Sequence, residues 1–135
     1  QLALPIKPDT LKYLTNDIID SCIVTSYNTG APVLSNMYDL SKADSKDPYE
    51  MFLSGPLSLV TIENADAKAQ KELVVFRDSY SSALAPLLAE GYSKITLVDI
   101  RYMHPDMIGN FVDFRNADVL FIYSTSVLNN SETLK

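Results

Sequence analysis

Four consecutive polar residues follow the apolar run 73–76 and have the clearest potential for chemistry: Arg77, Asp78, Ser79 and Tyr80. A serine at a strand-to-helix turn can be lifted clear of the sheet, where nearby backbone N–H groups can hold an oxyanion. A serine hydroxyl is a poor nucleophile until a base takes its proton, and that base is most often a histidine. The pattern therefore indicates ester hydrolysis or acyl transfer, with Ser79 as the candidate nucleophile.

Two further apolar runs also end in polar residues. Arg101 and His104 follow residues 95–100, and a Ser-Thr pair follows residues 119–123. The carboxyl ends of parallel strands meet at one edge of a sheet, where open α/β sheets bind their ligands. We therefore expect these side chains to lie near Ser79. His104 is the one histidine of the chain, and it is either a base for Ser79 or a surface residue that precedes a helix.

The elements that must position these residues form a β-α-β-α-β pattern over residues 72–124. Nearly continuous apolar runs are typical of parallel strands that are covered on both faces. We expect a helix over 82–90, with Leu84, Leu87 and Leu88 buried and Gly91 as a left-handed cap. A second helix is expected to begin at Pro105. Residues 119–123 are predicted to be a buried strand.

Residues 21–62 are predicted to add one or two strands, including one over 57–63, after a helix that begins at Asp9 or Thr10. The sequence thus predicts a three-layer α/β/α domain with a mainly parallel sheet, similar to flavodoxin or SGNH hydrolases. Residues 1–135 are expected to form a single domain, since 135 residues can bury one core.

Composition excludes several classes of function. The net charge is −6, and no cluster of Lys and Arg is present to neutralise phosphates, so no nucleic acid is expected as a partner. No apolar run approaches the roughly 20 residues that a membrane-spanning helix needs. No cofactor or metal is expected. Cys22 is the one cysteine, and its apolar neighbours predict a buried structural thiol.

Three blocks of the sequence resemble the DHHW family of bacterial envelope proteins. They are residues 49–56 (YEMFLSGP) with the following strand 57–64, residues 76–81 (FRDSYS) and residues 92–102 (YSKITLVDIRY). The blocks occur in the order of the family and cover much of the chain from Tyr49 to Tyr123.

The resemblance implies a fold related to SGNH hydrolases and alginate-type O-acetyltransferases, in which a Gly-Asp-Ser or similar turn carries the nucleophile. It places the nucleophile at Ser79, with Asp78, Tyr80, Arg101 and His104 as candidates to line the site. Arg77 stands where the wider SGNH group has glycine. The implied substrate is a carbohydrate or acyl ester, and the implied location is extracytoplasmic, in the cell envelope.

The Asp-x-His pair that would orient and supply the base in this family does not occur in the 135 residues. The chain is therefore interpreted as the carboxyl-terminal part of a longer protein, inactive by itself. The alternative is a non-catalytic binding or structural module of the same fold. On that interpretation Ser79 caps the following helix, and Asp78 accepts hydrogen bonds from backbone N–H groups in the turn.

Overall fold

A six-stranded mixed β-sheet is the framework of the molecule. The computed structural model describes residues 10–28, 30–130 and 132. The strand order is β2-β1-β3-β5-β4-β6. The strands are β1 (Ile23–Ser26), β2 (Val33–Ser35), β3 (Leu59–Glu63), β4 (Glu72–Arg77), β5 (Lys94–Val98) and β6 (Ala117–Ile122).

Strand β4 lies between β5 and β6 and runs parallel to both, in the arrangement that the three apolar runs predict. The predicted α/β class is confirmed. A mainly parallel sheet is not confirmed, because β1, β2 and β3 form antiparallel pairs, and β3 also pairs antiparallel with β5. The short connection between β1 and β2 accounts for one of these pairs, since a short turn can join only antiparallel neighbours.

Both faces of the sheet carry a core, as the nearly continuous apolar runs predict. Alternate residues of a strand point to opposite faces. Leu73 and Val75 therefore belong to one apolar cluster, with Ile62 and Leu97, and Val74 belongs to the other, on the opposite face.

The helices are shorter than the sequence predicts. They are α1 (Asp17–Ser21), α2 (Ala85–Leu88) and α3 (Thr125–Asn129). The 3₁₀-helices are Leu40–Lys42, Pro48–Met51, Ser79–Ser82, Ala89–Gly91, Pro105–Asn110 and Phe114–Asn116. None of the helices in the described ranges is long and apolar enough to cross a membrane.

The amino-terminal cap of α1 lies six or seven residues later than the predicted start at Asp9 or Thr10. Asn16 is its amino-terminal cap and accepts a hydrogen bond from the N–H of Ile19, whereas Thr10 lies in no helix and Asp9 is outside the described residues. Leu11 and Leu14, whose spacing is helical, are exposed and precede the helix. An Asn side chain competes with the helical backbone and so favours this start.

The segment after β4 was predicted wrongly in two details. Leu87 is exposed and Leu84 and Leu88 are only half-buried, while Ala85 and Ala89 face the core instead. Pro86 lies in the first turn of α2, where its missing N–H needs no partner, so the helix begins at Ala85. Gly91 ends a 3₁₀-helix without a positive φ, so it is not a left-handed cap. The segment after Pro105 forms a 3₁₀-helix that buries Ile108 but exposes Met107.

Strand β6 is an edge strand, and the prediction that it is buried is wrong. Val119 and Phe121 are 44% and 67% exposed on one face, while Leu120 and Ile122 pack against the core on the other face. Its apolar run resembles that of a covered strand, but in the described residues no strand lies outside it.

Candidate functional site

The carboxyl ends of β4, β5 and β6 meet at one edge of the sheet. Asp78 follows β4 and accepts a hydrogen bond at Oδ2 from the N–H of Ser124, which follows β6, over 2.7 Å. Arg101 follows β5, and its positive charge contributes to lowering the pKa of Asp78. Residues from all three strands are thus neighbours, as the parallel pattern predicts.

Asp99 and Arg101 form a partly buried ion pair at this edge. Asp99 is fully buried and accepts from Arg101 Nε at 2.9 Å, from Nη2 at 2.6 Å and from the backbone N–H at 3.1 Å. This bidentate geometry is the strong form of a carboxylate–guanidinium pair. The hydrogen bonds of Asp99 raise the pKa of Arg101. Arg101 is therefore occupied in holding a carboxylate.

Arg77 is a second cation at the edge, and it is completely buried. Its Nη1 donates to Ser82 Oγ at 3.0 Å, and its Nη2 donates to the carbonyl oxygen of Leu57 at 3.2 Å. Nε has no partner among the described residues. Burial lowers the pKa of Arg77, against the opposing effect of the Asp99 charge. Arg77 therefore joins the turn after β4 to the loop before β3, beneath the surface.

Asp78 caps the turn that carries Ser79. It is 1% exposed, and its Oδ1 accepts from the N–H of Tyr80 at 3.0 Å. Burial alone would raise its pKa, but the hydrogen bonds from Ser124 and Tyr80 and the Arg101 charge outweigh burial and hold the pKa below its usual value. Asp78 is thus an ionised acceptor for backbone N–H groups, and Asp78 rather than Ser79 is the helix cap.

Ser79 is exposed at the first position of this 3₁₀-helix. It lines an open cavity of about 300 Å³ with Asp47, Tyr49 and Tyr80, and an adjacent cavity of about 190 Å³ extends from Ser79 to Gly55. The N–H of the residue after a nucleophile commonly helps to form an oxyanion hole. Here that N–H, of Tyr80, is donated to Asp78.

Tyr49 holds the turn from outside. Its hydroxyl accepts from the N–H of Ala83 at 3.3 Å and lies 3.1 Å from the carbonyl oxygen of Ser79 and 3.2 Å from that of Tyr80. Burial raises the pKa of Tyr49. The 3₁₀-helix that carries Tyr49 is capped by Asp47, which accepts from the N–H of Tyr49.

Sequence reasoning assigned no role to Tyr49 or Asp47. Tyr49 lies in the first block of the family resemblance, but its contacts reach residues 30 to 34 positions away. No local pattern signals contacts of that range. A buried Tyr123 hydroxyl was missed for the same reason. It has no hydrogen-bond partner in the described part of the chain, and burial raises the pKa of Tyr123 to about 12.

His104 lies on the surface and caps the 3₁₀-helix Pro105–Asn110. Its Nδ1 accepts from the N–H of Asp106 at 3.4 Å and lies 3.4 Å from the Asp106 carboxylate. It does not line either cavity at Ser79. Of the predicted site residues, Ser79 and Tyr80 share a cavity, Asp78 and Arg101 lie beneath the edge, and His104 stands apart.

Other parts of the molecule offer less chemistry. A cavity of about 350 Å³ lies between α1 and β2, lined by Tyr13, Tyr38 and Cys22 among others, and includes none of the predicted site residues. No group of three or more His, Cys, Asp or Glu side chains that could hold a metal ion occurs within residues 10–28, 30–130 and 132.

Comparison with solved structures connects this fold to known proteins. The chain is similar to PatB1 of Bacillus cereus, which was also solved with a sulfonyl adduct, with 24% sequence identity and a TM-score of 0.60 over 78% of the chain. It is also similar to a DHHW family protein of Eubacterium siraeum DSM 15702, with 26% identity and a TM-score of 0.55 over 83% of the chain. The resemblance to the DHHW family is confirmed.

The chain spans 36–38% of the length of these three structures. No protein-family profile and no curated protein matches it. The similarity to these structures therefore supports the assignment of the fold more directly than any assignment of function.

Proposed function

We propose that the chain is the carboxyl-terminal part of an SGNH-like serine esterase or O-acyltransferase of the cell envelope, with Ser79 as its nucleophile. The observation that carries the proposal is the exposed Ser79 at the end of a parallel strand, in a cavity and on a turn fixed from both sides. Asp78 and Arg77 hold this turn from beneath, and Tyr49 holds it from outside.

The chemistry begins with attack of Ser79 Oγ on the carbonyl carbon of an acyl ester. The hydroxyl proton passes to a base, the acyl–oxygen bond of the ester breaks, and the departing alcohol takes a proton. Water or a sugar hydroxyl then accepts the acyl group and regenerates the serine. A fixed turn favours this chemistry, since a nucleophile held in place loses less freedom on reaching the transition state.

The sulfonyl adduct in one PatB1 structure supports nucleophilic chemistry in this fold. A sulfonyl group attaches covalently to a protein when a nucleophilic side chain attacks sulfur. We propose the same reactivity for Ser79 once a base is present. The resemblance to the DHHW family supports a carbohydrate substrate, and the exposed Tyr80 ring beside Ser79 offers an apolar face for a sugar.

The second candidate function is a non-catalytic binding module, and two observations favour it. The Tyr80 N–H is taken by Asp78 rather than left for an oxyanion, and no histidine lines the cavities at Ser79. A serine without its base keeps only the modest help of binding and of any oxyanion hole.

The first experiment assays this chain on a chromogenic acetyl ester, alongside Ser79→Ala and His104→Ala. We expect the chain to hydrolyse the ester no faster than Ser79→Ala, because its base is missing. Turnover by the wild type that both variants lose would identify His104 as the base and contradict the interpretation of half a catalytic site.

The second experiment separates enzyme from binding module. In the longer protein that the proposal implies, Ser79→Ala should lower esterase or acyl-transfer activity at least a thousandfold. Ser81→Ala is the matched control, because Ser81 lies in the same turn but is buried. No activity in the wild-type longer protein would favour the binding module, and undiminished activity in Ser79→Ala would show that Ser79 is not the nucleophile.

A further inference from the structure

Strand β6 leaves one hydrogen-bonding edge open. It pairs with β4 on its inner side, and no strand of the described residues lies on its outer side. Proteins usually protect such an edge by keeping it short, or with proline, lysine or a bulge. β6 has six residues and contains neither proline nor lysine. Its one charge, Asp118, is held by Lys71 at 2.8 Å and Tyr92 at 3.0 Å.

Three aromatic rings form a ladder that ends at this edge. Phe76 and Phe121 are directly opposite in the register of β4 and β6, with ring centroids 4.8 Å apart and planes 12° apart. Phe114 also stacks on Phe76, with ring centroids 6.5 Å apart and planes 7° apart. Cross-strand pairs of aromatic or β-branched side chains stabilise sheets. The ladder stops at Phe121, the most exposed of the apolar residues of β6.

The other edge of the sheet lacks these features. β2 has three residues, and a very short edge strand is itself a form of protection. Of the two edges in the described part of the chain, β6 is therefore the one that offers a long, apolar template for another strand.

We propose that the outer edge of β6 binds a further β-strand, which comes from polypeptide outside residues 1–135 and places an apolar side chain against Phe121. The similar solved structures are more than twice as long as the part that this chain spans, so most of each has no counterpart here. A second copy of this chain is a poorer occupant, because each copy carries a net charge of −6 and like charges oppose association.

Hydrogen exchange tests the proposal. The probe is the longer polypeptide encoded by the same reading frame, compared with the 135-residue chain. We expect the outward-facing amides of residues 118–122 to exchange at least tenfold more slowly in the longer form. In the shorter chain they should exchange quickly at every protein concentration.

Two variants of the longer form test whether the protection of β6 depends on Phe121. Phe121→Ser should restore rapid exchange in β6, while Leu34→Ser, which changes an exposed apolar residue of β2, should not. Val119→Ser replaces Phe121→Ser if circular dichroism shows that the latter does not fold.

Three results would overturn the proposal. The first is equal exchange of the β6 amides in both forms. The second is protection of β6 in the short chain that increases with protein concentration, which would identify a second copy as the occupant. The third is a reading frame that adds no residues to the 135.

Discussion

Buried charge fixes the turn that presents Ser79. Arg77 and Asp78 are almost completely buried, and between them they bind the Leu57 carbonyl, the Ser82 hydroxyl and the N–H groups of Tyr80 and Ser124. Burying charges without such partners would be costly. The turn is therefore specified by side chains as well as by its own backbone.

Removal of Arg77 should destabilise the protein strongly. We expect Arg77→Ala to lower the free energy of unfolding by about 3 kcal/mol, because one buried and one partly buried acceptor lose a charged donor and a cavity replaces the side chain. Urea titration measures this change. Arg115→Ala is the control, since the Arg115 side chain is 89% exposed and pairs with Asp113 in solvent. Equal effects of the two substitutions would show that the Arg77 contacts contribute little.

At the scale of elements, the loop before β3 shapes the cavities at Ser79. Leu53, Ser54 and Gly55 follow one another with φ values of 54°, 60° and 91°, a left-handed conformation that costs L-residues roughly 1–2 kcal/mol each. Gly55 lines the smaller cavity. The loop thus holds strained backbone beside the candidate site.

The two glycines Gly55 and Gly91 should respond oppositely to alanine. We expect Gly55→Ala to cost about 1 kcal/mol of unfolding free energy, because its Cβ would be strained by the positive φ although its nearest contact, Glu50, lies at 3.4 Å. Gly91→Ala should be neutral or stabilising by up to about 1 kcal/mol, since its φ is not positive and the space around it is open. Thermal unfolding of both variants measures the difference. A loss of stability in Gly91→Ala would indicate that Gly91 adopts a backbone conformation that is unfavourable for alanine.

At the scale of the whole molecule, stability should fall in acid. The pKa of Asp78 is depressed by hydrogen bonds from Ser124 and Tyr80 despite its burial. A carboxylate with a depressed native pKa makes its full contribution to folded-state stability when the pH is well above its unfolded pKa of about 3.9. That contribution shrinks as the pH falls below this value and is gone below the native pKa.

Asp78→Asn should flatten this dependence. At pH 7 we expect it to lower the unfolding free energy by about 2 kcal/mol, because an amide cannot accept from both N–H groups. The gap in unfolding free energy between wild type and Asp78→Asn should narrow as the pH falls below about 4, measured by urea titration at each pH. Asp44→Asn removes one exposed charge and is the control. A gap that stays constant across this range would contradict the assigned role of the Asp78 charge.

The sequence by itself determined the local features of this protein. Apolar runs located β4, β5 and β6 and their parallel direction, and in β4 and β5 the run is apolar because these strands are covered on both faces. Polar residues after each run located the edge where Asp78, Ser79, Arg101 and Ser124 gather.

The tertiary structure alone decided what depends on distant neighbours. It made β6 an edge strand, since an apolar run does not reveal how many strands lie beside it. It assigned the cap of the turn to Asp78 and brought Tyr49 onto Ser79 from 30 residues away. It placed His104 on the surface as the cap of a short 3₁₀-helix, beside Asp106 and outside the two cavities that Ser79 lines. Contacts between segments far apart in sequence arise from packing of the whole chain, and no local pattern of residues encodes them.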